Sequence, residues 1–226
     1  MTRSPPGRPK ANTPPRGGGA IGVSGAVRRI GLLGGTFDPV HNAHVALACV
    51  ALDTLALDQL RWVPAGEPWQ KTRRITSGAD RIAMLDLAIA GEPRFVLERC
   101  EIDRMGPSYT FDTVRNLQQR EPNAQWFLIV GRDQFANLHT WHRWKELLSL
   151  VTLAVAARPG AAQPADAQVQ GRAYQVLPLP TMEVSASTIR ERLSRGEGID
   201  NLVPPGVARY IGQHALYLPE RAPHGS

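Results

Sequence analysis

"RRIGLLGGTFDPVHNAHVALACVALDTLAL" (residues 28–57) changes its hydrophobic period once, and that change decides the fold. Residues 28–35 form a short apolar run closed by Gly34 and Gly35, which reads as a buried strand. Residues 42–57 spread apolar side chains over a broad face with no Pro or Gly, which reads as a helix. Between them "GGTFDPVHNAH" (34–44) turns the chain. The paired glycines let another group approach the backbone, Pro39 fixes φ, and Asp38 can hydrogen-bond nearby amides. Asn42 is placed to cap the helix.

The same alternation continues downstream. Strands are expected at 59–66, 94–102, 124–131, 151–158 and 173–179, and helices at 78–91, 108–120, 142–150, 185–196 and 204–216. Ser108 or Thr110 is the candidate cap of the helix at 108–120, and a serine also opens the helix at 185. Residues 159–171, polar and interrupted by prolines, read as a loop. Strands alternating with helices imply βαβ units. The expected fold is therefore α/β: a Rossmann-like, doubly wound, mostly parallel sheet with helices on both faces. In such sheets ligands bind beyond the carboxyl ends of the strands, near a topological switch point. Segments 34–44, 131–133 and 185–190 all fall at such ends.

A length of 226 residues with 42% hydrophobic side chains fits one domain with a substantial core. No run approaches the ~20 apolar residues that span a bilayer, so no membrane partner is expected. Cys49 and Cys100 sit in apolar-patterned segments, which suits reduced, buried thiols in a cytoplasmic protein. The net charge of +6 is uneven: Arg3, Arg8, Lys10 and Arg16 lie in an acid-free segment, 1–27, leaving +2 for the rest. Rich in Pro and Gly, that segment is expected to be a disordered tail, with 28–218 the folded domain and 219–226 a flexible end. Four cations on such a tail give only salt-sensitive contact with nucleic acid, so no specific nucleic-acid partner is expected.

A helix N-terminus beside glycines is an anion site, because its N–H groups are free and its dipole end is positive. His41, just before the helix, and His44, in its first turn, can point at the same anion, and phosphate is the obvious guest. The spacing does not match the P-loop pattern. Two histidines with no nearby Cys or third His make a poor zinc site.

"GGTFDPVHNAH" resembles the HxGH signature of the nucleotidyltransferase superfamily, and "VSASTIR" (184–190) resembles its second signature, [IV]-S-S-T-x-[IV]-R. With "VPAGEPWQK" (63–71), "DRIAMLDLAI" (80–89), "GPSYTFDT" (106–113) and "VGRDQFANLHTWHRW" (130–144), residues 28–216 resemble the nicotinate mononucleotide adenylyltransferase family. That resemblance implies that ATP and nicotinate mononucleotide react to give deamido-NAD and pyrophosphate, with Mg²⁺ bound through the ATP phosphates and no metal site on the protein. It implies His41, His44 and Arg190 as catalytic groups. It implies Gly34, Gly35, Thr36, Phe37, Gly131, Asp133, Ser187 and Thr188 against ATP. Lys71, Thr110 and Trp141 are implied against the mononucleotide, with Trp141 stacked on the pyridine ring. Three positions depart from the family pattern: Ala43 replaces the Gly of HxGH, Ala186 replaces one paired serine, and His139 stands where Pro is expected.

Two other readings stay open on the sequence. Pantetheine-phosphate adenylyltransferases share both signatures, although "GPSYTFDT" and "TWHRW" suit an aromatic carboxylate better than a pantetheine arm. A non-catalytic nucleotide sensor is the second, and the retention of His41, His44 and Arg190 argues against it.

Overall fold

The strands Arg29–Gly35 (β1), Gln59–Pro64 (β2), Phe95–Leu97 (β3), Gln125–Val130 (β4), Thr152–Ala157 (β5) and Gln175–Pro178 (β6) form one sheet in the order β3-β2-β1-β4-β5-β6. Every neighbouring pair is parallel. The structure, a computed structural model, describes residues 27–66, 75–157, 169, 171–180 and 182–218. The sheet grows outward from β1 in one direction and from β4 in the other, so the switch point lies between these two strands. The expected Rossmann-like fold is what forms.

Alternation along the pleat explains why both faces are covered. Ile30, Leu32, Trp126, Leu128 and Val130 point to one side, where they meet Phe111, Val114 and Leu117 of Thr110–Arg120 (α3) and Trp144 and Leu147 of Trp144–Leu150 (α5). Leu33, Trp62, Phe127 and Ile129 point to the other. There they meet Asn42–Thr54 (α1), Gly78–Ile89 (α2), Ala186–Ser194 (α6) and Pro205–Gln213 (α7). Central strands buried on both faces read as continuous apolar runs, as "LLGG" and "WFLIV" do.

Several local expectations are corrected. β3 spans only three residues, because Glu98 turns its carboxylate to Arg61 (3.3 Å) and Arg120 (2.6 Å) and the chain leaves the sheet edge. The helix expected from 142 starts at Trp144, since Arg143 takes a left-handed φ of 52°. A short helix, Arg132–Ala136 (α4), and a 3-10 turn, Leu138–Thr140, precede it; both are too short to show a period. Tyr109, not Ser108 or Thr110, is the N-cap of α3, and Ser108 donates its hydroxyl to the Glu101 carbonyl (3.4 Å). Cys49, on a face of α1 turned from the sheet, is exposed and Cys100, past the end of β3, is half-buried, both as free thiols rather than the buried ones expected. Residues 1–26, Lys71, most of the loop at 159–171 and residues 219–226 lie outside the described residues. Among the described residues no helix is long and apolar enough to cross a membrane.

Candidate active site

The site grows from the carboxyl ends of β1, β2 and β4. Ala65 N–H donates to the Gly35 carbonyl (2.8 Å), which ties the loop after β2 to the end of β1. Leu33 pairs with Ile129, so Gly131, just past β4, stands level with Gly35. A Cβ at Gly35 would press on the Phe37 ring at 3.0 Å, so a side chain there would disturb the loop. Phe37 adopts a left-handed φ of 51°, and its ring is buried against Trp62 (5.5 Å) and edge-on to His44 (5.0 Å). The Phe37 side chain is thus part of the core beneath the loop, and only its backbone is left to meet a ligand.

His41, not Asn42, is the N-cap of α1. Its carbonyl accepts the His44 N–H (2.9 Å), and its own N–H donates to His44 Nδ1 (3.2 Å). Asn42 instead donates its side-chain amide to the Asn201 carbonyl (3.0 Å) and its N–H to the Leu202 carbonyl (3.0 Å), which pins the start of α1 to the segment before α7. The two imidazoles stack, with centroids 3.7 Å apart and planes 25° apart. Because His44 Nδ1 accepts, Nε2 carries the proton and is a donor. Burial pulls the His41 pKa from 6.5 down to about 4. Burial, then repulsion from His41, holds His44 well below the same value. Both rings are therefore neutral near pH 7: the helix start offers uncharged donors.

The second signature reaches the same edge from α6. Ser185 caps that helix by accepting the Thr188 N–H on its hydroxyl (3.1 Å), and its Oγ also lies 2.9 Å from the Ser187 hydroxyl. Ala186 is the first residue of the helix, so the missing serine hydroxyl costs no cap. Ser187 and Thr188 are exposed in the first turn, while Arg190 is half-buried and donates Nη1 to the Asp38 carbonyl (2.6 Å). That bond joins the two signatures across 152 residues.

Arg81, which sequence reasoning missed, holds the floor. It is 3% exposed. Nη1 donates to the Thr36 (3.0 Å) and Ala65 (2.7 Å) carbonyls, Nη2 to Gly66 (3.2 Å) and Nε to Thr76 (3.2 Å). Burial lowers its pKa, with Asp38 nearby opposing the shift. In the sequence it is one arginine in an amphipathic helix, where the usual place is the surface. Asp38 is buried, and Tyr217 donates its hydroxyl to Asp38 Oδ1 (2.7 Å).

The rings of Tyr109 and His142 lie 4.5 Å apart, so the start of α3, where Thr110 is the first helical residue, packs beside the segment that follows Trp141 at the end of the 3-10 turn. Trp141 is half-buried and packs beside the α3–α5 cluster. Gly66 lies against the segment before α3: a Cβ there would run into the Glu101 carbonyl oxygen, so the position excludes any side chain. Asp133 is exposed in the first turn of α4, directly after Gly131. The structure thus brings the 34–44 loop, Gly131–Asp133 and 185–190 to the sheet edge at the switch point, while Thr110 and Trp141 stand on separate elements, α3 and the end of the 3-10 turn. Among the described residues no three His, Cys, Asp or Glu side chains gather as metal ligands.

Comparison with known proteins agrees with this layout. A cytidylyltransferase-like family model matches residues 32–192. A probable nicotinate-nucleotide adenylyltransferase of Methylibium petroleiphilum is 48% identical over 200 residues, covering 86% of this chain and 94% of that protein. Its counterpart in Bordetella avium is 46% identical over 199 residues, covering 85% and 100%. The solved Plasmodium falciparum nicotinic acid mononucleotide adenylyltransferase complexed with NaAD superposes with a TM-score of 0.68 at 20% identity, covering 84% of this chain and 97% of that one, which supports the fold. Carrying both signatures on one sheet edge and matching these relatives over nearly its whole folded length, the chain belongs to the nicotinate-nucleotide adenylyltransferase family of cytidylyltransferase-like proteins.

Proposed function

We propose that this protein transfers AMP from ATP to nicotinate mononucleotide, giving deamido-NAD and pyrophosphate in the biosynthesis of NAD. The observation that carries this reading is the Arg190–Asp38 bond, which sets a guanidinium beside a helix start that presents two neutral imidazoles. A triphosphate needs donors of that kind on both sides.

The nucleophile is a phosphate monoester oxygen, already ionised near pH 7. It attacks the α-phosphorus of ATP in line; one P–O bond forms, the α–β bridge breaks, and pyrophosphate leaves with the electron pair. No base is required. The barrier lies in aligning two anions and stabilising charge on the transferring phosphate, so catalysis is positioning and preorganised donation. His41 and His44 donate to ATP phosphate oxygens. Arg190, the Ser187 N–H and the exposed side chains of Ser187 and Thr188 hold the β- and γ-phosphates, the Thr188 N–H itself being the one that Ser185 caps. Gly34, Gly35, Thr36 and the Phe37 backbone let the nucleotide lie close against the end of β1, and Gly131 and Asp133 receive the ribose. Lys71 meets the mononucleotide phosphate, Trp141 stacks on the pyridine ring, and Thr110 with nearby amides meets the carboxylate. Mg²⁺ bound through the ATP phosphates would supply charge neutralisation there.

Isotope partition tests the route. With ATP labelled at the α-phosphorus, label is expected in the dinucleotide; with ATP labelled at the γ-phosphorus, it is expected in pyrophosphate. Transfer of γ-label to the mononucleotide would mean phosphorylation instead and would overturn the proposal.

A further inference from the structure

We propose that Tyr217 is a positioning residue for adenylyl transfer, acting through Asp38 to hold the loop that carries His41 and the Arg190 contact; the proposal rests on the function just described. Tyr217 lies four residues beyond α7, where the chain folds back on itself. Leu216 N–H donates to the Ile211 carbonyl (3.1 Å), and Ala215 and Tyr217 both take left-handed φ values, 49° and 65°. Two non-glycine residues in that region within three positions are unfavourable by themselves and persist only where surrounding contacts hold them. Here they aim the phenol inward. Its hydroxyl donates to Asp38 Oδ1 (2.7 Å) and also engages the side chain of Thr76, just before α2. Burial first, and the Asp38 charge with it, push the phenol pKa far above its ordinary value, so it stays a donor.

Asp38 is 1% exposed. Its carbonyl takes the Arg190 bond (2.6 Å), and His41 follows three residues later. A buried carboxylate oxygen that loses a donor is costly to leave unpaired. Among the described residues the cations near it are Arg81, committed to the carbonyls of Thr36, Ala65, Gly66 and Thr76, and Arg190, committed to the Asp38 carbonyl. Recruiting either one moves the 36–41 loop or turns the Arg190 fork. The consequence falls on the triphosphate side, while Trp141 and Thr110 belong to other elements.

Tyr217→Phe keeps the ring and removes the donor. Assayed well below its Tm, this variant is expected to lose kcat by about 10- to 100-fold, the scale of a misplaced reacting group. The KM for ATP should rise while the KM for nicotinate mononucleotide stays within about twofold. Combined with Arg190→Lys, its effect on kcat should be less than multiplicative. Tyr210→Phe is the control: it removes a hydrogen bond from α7 to Asp80 (2.9 Å) and is expected to leave kcat and both KM values unchanged. Should Tyr217→Phe fold poorly, Thr76→Val, which leaves the phenol packed, is expected to show the same split in milder form. A lowered Tm with unchanged kcat in a folded Tyr217→Phe or Thr76→Val protein, or an equal rise in both KM values, would overturn the inference. Failure of the unmutated protein to form deamido-NAD would instead overturn the functional reading, and the inference with it.

Discussion

Two neutral imidazoles at the start of α1 donate hydrogen bonds without adding fixed positive charge to the site, and their neutrality has two measurable consequences. The first concerns rate. His44→Ala removes one preorganised donor, for which a fall in kcat of about 10²–10³-fold is expected. It also removes the acceptor for the His41 N–H, a cap-type bond whose loss costs about 1 kcal/mol, so the variant should remain folded with a modestly lower Tm. Near-native turnover of the folded variant would take His44 out of the mechanism. The second consequence concerns pH. Above pH 6.5 His41 is neutral in both folded and unfolded chains. Below it the unfolded chain binds a proton that the folded chain refuses until about pH 4, so stability falls as the pH drops through that window. At about 1.4 kcal/mol per unit, the loss from His41 approaches ~3 kcal/mol. His41→Asn, which keeps a good N-cap residue, should flatten this slope in urea unfolding between pH 7 and pH 4. Superimposable slopes for the two proteins would contradict the assignment.

Among the elements, α6 matters through its first two turns: Ser185 caps it, and Arg190 reaches across to the opening loop. Arg190→Lys keeps a positive charge but cannot hold the Asp38 carbonyl and fork onto phosphate oxygens together. We expect a loss of kcat of about 10- to 100-fold from the misplaced charge, with an unchanged far-UV spectrum; wild-type kcat would show that only charge matters there. The strand–helix alternation was legible because each central strand is buried on two faces and each long helix on one, which writes period and run length into the sequence. Ser185 as a cap was legible for the same local reason. What escaped was non-local. Arg81 acts on four backbone carbonyls, which carry no residue identity, and Tyr217 meets Asp38 from 179 positions away. Asn42 looked like a cap by type, yet Leu202 and Asn201 draw it elsewhere and leave the role to His41. α4 and the 3-10 turn are shorter than any helical period can reveal, and Phe37 proved to be a core ring because β2 sets Trp62 against it.

At the scale of the whole molecule, the proposed function asks one sheet edge, at the switch point between β1 and β4, to receive two substrates. On that reading the triphosphate meets the 34–44 loop and α6, which the Arg190–Asp38 bond joins, and the mononucleotide meets Thr110 and Trp141. On the proposed reading the donors at the pyridine ring, backbone amides and the Thr110 hydroxyl, would suit a carboxylate there. The amide form turns an NH₂ toward those donors and leaves at least one unpaired, costing ~1–3 kcal/mol or more where charge is lost. Each ~1.4 kcal/mol is a factor of ten, and Thr110→Val should narrow the resulting preference. The most direct test is pyrophosphate release by the purified protein with Mg-ATP and, in turn, nicotinate mononucleotide, its amide counterpart and phosphopantetheine. The account predicts turnover with the acid, a kcat/KM about 10- to 100-fold lower with the amide, and no turnover with phosphopantetheine. Equal kcat/KM for acid and amide, or turnover with phosphopantetheine alone, would contradict it.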